Sequence, residues 1–192
     1  MNYREAVASY SPGLRSYPGN GEPADNRANP ERAPSSQGWQ AMAQSLSSVT
    51  VHIVFSVKER QPLLADQDLR ERLHAELGGT SKRLDCPPII VGGVDDHVHL
   101  LARQSRTITL ADWMKELKRV TSIWIKDQDA RYRQFRWQAG YGAFSVSQSQ
   151  VSDVVRYIKS QEEHHENRDF KSEFRALLER HGIEYDERYV WD

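Results

Sequence analysis

The stretch Ile89-Ile-Val-Gly-Gly-Val-Asp-Asp-His-Val-His-Leu-Leu-Ala-Arg103 decides the fold. Two aliphatic runs, 89–94 and 97–103, flank the two residues Asp95-Asp96, which predicts an antiparallel β-hairpin. Within the second run His97 and His99 stand at i and i+2, so both side chains leave the same face of the strand. A buried strand ordinarily carries aliphatic residues at such positions. Histidine is also the commonest metal ligand, and here two imidazoles converge from one face. Binding a metal and serving as ordinary strand residues are both open at this point. Asp96 is placed to orient one imidazole from behind, or to act only as a turn residue.

Working outward, Val49-Thr-Val-His-Ile-Val-Phe-Ser-Val57 reads as a strand preceding the hairpin. Leu69, Leu73, Leu77 and Leu84 mark a helix that the pair Gly78-Gly79 should interrupt or fray, and Cys86-Pro-Pro88 ends it. After the hairpin, Leu110, Met114, Leu117, Thr121 and Trp124 form one stripe of a second long helix. Phe135-Arg-Trp-Gln138 and Tyr141-Gly-Ala-Phe-Ser-Val-Ser147 supply a last strand or two. A helix through Val151, Val154, Val155 and Ile158 follows, and a final one runs from about Asp169 to Arg180, stopped by His181-Gly182. The order strand, helix, strand, strand, helix, strand, helix predicts an α+β fold. It is a ferredoxin-like antiparallel sheet with helices packed on one side and a C-terminal tyrosine-bearing helix.

That tyrosine is Tyr157, which shares a helix face with Gln161 at i+4. A helix packing on a sheet seldom presents a phenol and an amide together. Brought against the histidine pair, the face would combine imidazole nitrogens, an amide oxygen and a phenol. That set can hold a hard divalent cation beside a nucleophile, as covalent phosphodiester cleavage requires. His164 and His165, one turn further, read more simply as a solvated helix end.

Composition bounds the function. At 192 residues with a formal net charge of −1, the chain is not suited to coating a duplex indiscriminately. Its positive charge is clustered: Lys115, Lys118, Arg119 and Lys126, then Arg131, Arg133 and Arg136. Interleaved with Trp113 and Trp124, such residues can follow the phosphates of a single strand while rings stack on its bases; a solvated face and core tryptophans are the plainer alternative. The lone Cys86 excludes an internal disulfide and fits a cytoplasmic protein. No apolar run is long enough to span a bilayer. Residues 1–41 are rich in Pro, Gly, Ser, Asn and Arg without helical or strand period. They are expected to be a disordered extension, or a mis-assigned start with translation beginning at Met42, ahead of one domain over 42–192.

Four segments occur in a fixed order: Val51-His-Ile-Val-Phe-Ser-Val-Lys58, Asp96-His-Val-His-Leu100, Trp137-Gln-Ala-Gly-Tyr-Gly-Ala-Phe-Ser-Val-Ser147 and Tyr157-Ile-Lys-Ser-Gln-Glu-Glu-His-His165. Together they resemble the single-tyrosine HUH transposases of small bacterial insertion sequences, the IS200-like and REP-associated tyrosine transposases, from about Ser45 to the C-terminus. The resemblance implies an enzyme that cuts and rejoins single-stranded DNA, with a hairpin recognised near each element end. It places His97 and His99 as metal ligands, Gln161 as the third, and Tyr157 as the nucleophile forming a 5′-phosphotyrosine. It further implies Mg²⁺ or Mn²⁺ as cofactor and a homodimer. One tyrosine per site means that two ends need two sites. A domesticated relative that binds or nicks DNA without mobilising it is one alternative, and a non-catalytic ferredoxin-like nucleic-acid-binding module is another.

Overall fold

Residues 46–161, 169–188 and 190–191 are described by a computed structural model of the chain. The expected extension over 1–41, and His164 and His165, lie outside the described residues. Thr50–Ser56 forms β1, Pro88–Gly93 β2, His97–Arg103 β3 and Gly142–Val146 β4. The helices are α1 Gln67–Arg83, α2 Leu110–Gln128, α3 Val151–Lys159 and α4 Phe170–Arg180. One sheet orders the strands β2-β3-β1-β4, with every neighbouring pair antiparallel. This is the α+β, ferredoxin-like arrangement that the element order predicts, with one correction: helices cover both faces of the sheet, not one, because the second face also carries large apolar side chains that must leave water.

Strand alternation divides the sheet into two chemically different faces. In β1, Val51, Ile53 and Phe55 point one way and meet Ala102, Leu100 and Val98 of β3 in register. These six residues share one core with Leu69, Leu73 and Leu77 of α1 and with Trp113, Met114, Leu117 and Ile125 of α2. Each fully buried side chain of this size contributes roughly 1.5–3 kcal/mol, so this face supplies most of the stability. The opposite face carries His52, Val54 and Ser56 of β1, which lie across from Leu101, His99 and His97. Here α3 crosses β2, and α4 packs Phe170, Phe174, Leu177 and Leu178 onto Val54 and Phe144. Every residue of β1 is therefore buried.

Three local departures from the sequence reading have packing causes. Helix α1 runs unbroken through Gly78-Gly79, because Leu77, Thr80 and Ser81 are buried on either side and a Cβ at Gly78 would merely touch Pro88 and Val91. Tertiary burial outweighs the roughly 1 kcal/mol that each glycine costs a helix. The segment at 135–138 forms no strand; Trp137 makes a single bridge to Val57. The hairpin turn spans Val94-Asp-Asp96, closed by the Val94 amide donating to the His97 carbonyl at 3.2 Å. Gly93 has φ +149°, and a Cβ there would lie 2.3 Å from the His97 carbonyl oxygen, so glycine is required.

Gly92 permits a different close approach. It pairs with His99, and a Cβ built on it would meet Ile158 Cγ2 at 2.6 Å and the Ile158 carbonyl oxygen at 3.0 Å. Ile158 follows Tyr157, so this contact sets the height of α3 above the histidine pair. Gly92→Ala should destabilise the fold by about 1–3 kcal/mol through overpacking, measured by urea unfolding. A variant as stable as the parent would show that α3 is not seated on β2 in this way.

The C-terminal segment is tied to α4 by charge. Arg175 grips Glu187 through Nε and Nη2 at 2.6 and 3.0 Å, and Trp191 Nε1 donates to the same carboxylate at 2.8 Å. The Arg175 bonds, and then the indole, hold the Glu187 carboxyl at a pKa of about 2, below its ordinary value of 4.5. A depressed acid stabilises above its unfolded pKa and loses that contribution as pH falls through the folded one. The stability difference between the parent and Glu187→Gln, followed by thermal melts, should be full at pH 7 and close between about pH 4.5 and 2.

Candidate active site

Neither the hairpin nor α3 alone makes a site. Their junction is completed by α4, whose apolar stripe Phe170, Phe174 and Leu177 is interrupted by Glu173. The Glu173 carboxylate reaches into the space between β3 and α3. Its Oε1 lies 3.3 Å from His99 Nε2, and Oε2 lies 3.6 Å from His97 Nε2. Tyr157 donates its hydroxyl hydrogen to Glu173 Oε1, and Gln161 Nε2 donates to the same oxygen at 3.0 Å. Ligand atoms of His97, His99 and Glu173 all fall within 4.8 Å of one another.

Behind the pair, each imidazole is held by its other nitrogen. Asp96 Oδ1 lies 2.6 Å from His97 Nδ1, and His52 Nε2 lies 3.0 Å from His99 Nδ1. The two histidines are fully buried with ring centroids 5.0 Å apart, and Tyr157 stands edge-on to His99 at 5.8 Å. The turn carrying Asp96 is itself anchored, because the amides of Val57 and Leu64 donate to the carbonyls of Asp96 and Asp95 at 2.8 Å.

The donor set suits a divalent cation. Two imidazoles with a carboxylate and an amide oxygen is a mixed nitrogen–oxygen set compatible with Mg²⁺ or Mn²⁺ when water completes the shell. Gln161 supports the fit: its Oε1 is buried with no hydrogen-bond partner among the described residues, an arrangement that costs free energy unless something else approaches that oxygen. Electrostatics of the protein alone works against phenolate. Burial first, and then the Glu173 charge, push the Tyr157 pKa well above 10. His52 is shifted the other way; burial and then neighbouring His99 lower its pKa and keep it neutral.

The structure thus brings Asp96, His97, His99, Tyr157 and Gln161 together, and adds Glu173 and His52, which the sequence reading did not select. Both left a trace in the sequence. Glu173 is an acid on the buried stripe of an amphipathic helix, and His52 is a third histidine in an otherwise aliphatic strand.

The basic residues lie elsewhere. Lys115, Lys118 and Arg119 belong to α2, which packs on the face opposite the histidine pair. Lys115, Arg133 and Arg136 are exposed. Arg119 is bonded to Glu116 at 2.7 Å, and Arg131 to Asp66 at 3.0 Å, both as exposed pairs. Lys118 instead donates to the carbonyls of Gln138, Ala139 and Gly140 at 2.8–3.1 Å, which clasps the loop leading into β4. Burial lowers its pKa to about 8, while the three carbonyls favour the charged form. Trp113 is fully buried and belongs to the core, not to a stacking surface.

An antiparallel sheet that presents a buried histidine pair to a helix-borne tyrosine can hold a metal ion beside a hydroxyl group. The chain belongs to the IS200-like transposase family, whose model matches residues 45–161 and so takes in both histidines, the tyrosine and Gln161. Two solved structures are similar. One is a candidate transposase from Deinococcus radiodurans R1, at 18% identity and a TM-score of 0.49, covering 64% of this chain and 97% of that one. The other is a REP-associated tyrosine transposase bound to a REP hairpin, at 9% identity and a TM-score of 0.43, covering 62% and 67%. No curated protein sequence matches. Among the described residues no helix is long and apolar enough to cross a membrane.

Removing the Glu173 charge should bring the Tyr157 pKa down towards 10, because both the charge and the hydrogen bond favour the neutral phenol. Tyrosine ring NMR titrations of metal-free parent and Glu173→Gln would read this. An unchanged Tyr157 titration would mean that burial alone sets its pKa.

Proposed function

We propose that this transposase cuts and rejoins single-stranded DNA through a 5′-phosphotyrosine on Tyr157. The observation that carries the reading is the convergence of the Tyr157 hydroxyl, both histidine Nε2 atoms and the Gln161 amide on one buried carboxylate. His97, His99 and Gln161 would hold a Mg²⁺ or Mn²⁺ ion, with a carboxylate oxygen of Glu173 as a fourth ligand. A divalent cation there neutralises phosphate charge and favours phenolate over phenol.

The chain's own groups account for the rest. The Tyr157 oxygen attacks phosphorus, the bond from phosphorus to the 3′-oxygen breaks, and the proton lost by the phenol is matched by one gained at the departing 3′-hydroxyl. Glu173, already accepting the Tyr157 hydrogen bond, is the first acceptor of that proton. Energy retained in the phosphotyrosine lets a 3′-hydroxyl reverse the step on another 5′ end, which is strand transfer without an external energy source.

The substrate proposed is single-stranded DNA with a hairpin at each element end, handled by a homodimer so that two tyrosines serve two ends. Exposed Lys115, Arg133 and Arg136 are the first candidates for phosphate contacts. Arg119 and Arg131 can join them by exchanging exposed carboxylate partners, because solvent screens such surface ion pairs. Lys118 contributes by holding the 138–140 loop. Asp96 orients His97.

The test uses labelled single-stranded oligonucleotides covering both strands of the DNA flanking the gene, with Mg²⁺ or Mn²⁺, resolved on a denaturing gel. A covalent protein–DNA adduct is expected with the parent and none with Tyr157→Phe. His97→Ala and His99→Ala should lose metal-dependent cleavage while keeping strand binding. An adduct that survives Tyr157→Phe would overturn the nucleophile assignment. Strand-selective binding with no adduct would favour the domesticated binder.

A further inference from the structure

The two histidines of the pair are supported by unlike partners. His97 Nδ1 faces a carboxylate oxygen of Asp96, which accepts hydrogen bonds and, when ionised, cannot donate them. His99 Nδ1 faces an imidazole nitrogen, His52 Nε2, which does either according to its tautomer. We infer that His52 is a positioning residue for the metal site: it accepts a hydrogen bond from His99 Nδ1–H, which leaves His99 Nε2 unprotonated and aimed at the cation. The inference rests on the metal site of the proposed function.

Geometry and proton counting carry it together. A neutral imidazole has one N–H, so a proton on Nδ1 frees the lone pair of Nε2, and a proton on Nε2 blocks it. Of the two ways to satisfy the 3.0 Å contact, only donation from His99 to His52 leaves His99 competent to bind a metal. Without a cation the reverse is favoured, because the Glu173 carboxylate 3.3 Å from His99 Nε2 calls for a hydrogen there. His52 Nε2–H then donates to His99 Nδ1. His52 fits both states and carries one proton in each, on Nε2 without the cation and on Nδ1 with it. A carboxylate in its place would fit only one.

The fold holds His52 for this purpose. It lies on the same face as His99, two pairs removed along the β1–β3 ladder, at the diagonal distance that aromatic side chains span. Only 3% exposed, it stacks on His99 at 5.2 Å and 23°, with Phe144 and Tyr157 each 6.2 Å from its ring. Its burial favours the neutral form that both states use.

Mn²⁺ affinity tests this on the full chain, by electron paramagnetic resonance of free Mn²⁺ without DNA. His52→Phe keeps the shape but neither accepts nor donates, and should weaken Mn²⁺ binding by about 10–100-fold. His52→Gln, which retains an acceptor and a donor, should recover most of that loss. A merely structural histidine would lower the melting temperature of His52→Phe and leave its Mn²⁺ affinity unchanged. Parental affinity in folded His52→Phe, with affinity lost in His99→Ala, overturns the role of His52 alone. Parental affinity in His99→Ala overturns the metal site itself, and this inference falls with it. Should His52→Phe fail to fold, ¹⁵N spectra of the parent's imidazoles decide. The His99 proton should move from Nε2 to Nδ1 when Mg²⁺ saturates the site, and a proton that stays on Nε2 overturns the proposal.

Discussion

A carboxylate surrounded by imidazoles, a phenol and an amide governs how the second face of this sheet is built. His97 and His99 are removed from water by the strand that carries them, and a desolvated imidazole is costly unless it finds hydrogen-bond partners. Glu173 meets them from α4 while accepting bonds from Tyr157 and Gln161. The polar site and the seating of α3 and α4 are therefore one problem. Asp96 and His52 extend the same logic outward by engaging the remaining nitrogens.

Packing on the two faces answers to different requirements. On the α1 and α2 side, aliphatic and aromatic side chains exclude water and stabilise the domain. On the other side the apolar patch formed by Val54, Phe144, Phe170 and Phe174 is smaller, and stands beside a polar network. Close approach is what that side needs. Glycine at 92 lets α3 descend onto β2, and glycine at 142 leaves room for the rings of Phe174 and Phe144, each within 3 Å of where a Cβ would be.

The stretch that matches the IS200-like transposase family contains His97, His99, Tyr157 and Gln161. The family match ends at Gln161, whereas Glu173 comes later in the chain and packs beside Gln161 through α4. Protein groups alone hold Tyr157 as a neutral phenol. On the proposed mechanism, such a phenol stays unreactive until positive charge arrives. The clustered basic residues of α2 sit across the sheet from the tyrosine. A strand contacting both would have to pass round an edge of the sheet.

Much of this was fixed by local pattern. Period-two alternation and the Asp95-Asp96 turn gave the hairpin and set both histidines on one face, and the i, i+4 spacing joined Tyr157 to Gln161. These are short-range consequences of backbone geometry. The helix break expected at Gly78-Gly79 did not occur, since burial on both sides overrides a small propensity cost. The partnership of Glu173 and His52 with the histidine pair was decided only by the tertiary structure. Those residues lie 74 and 47 positions from His99, and no periodicity links them to it: Glu173 arrives on a helix that covers the sheet face, and His52 through the register of β1 against β3.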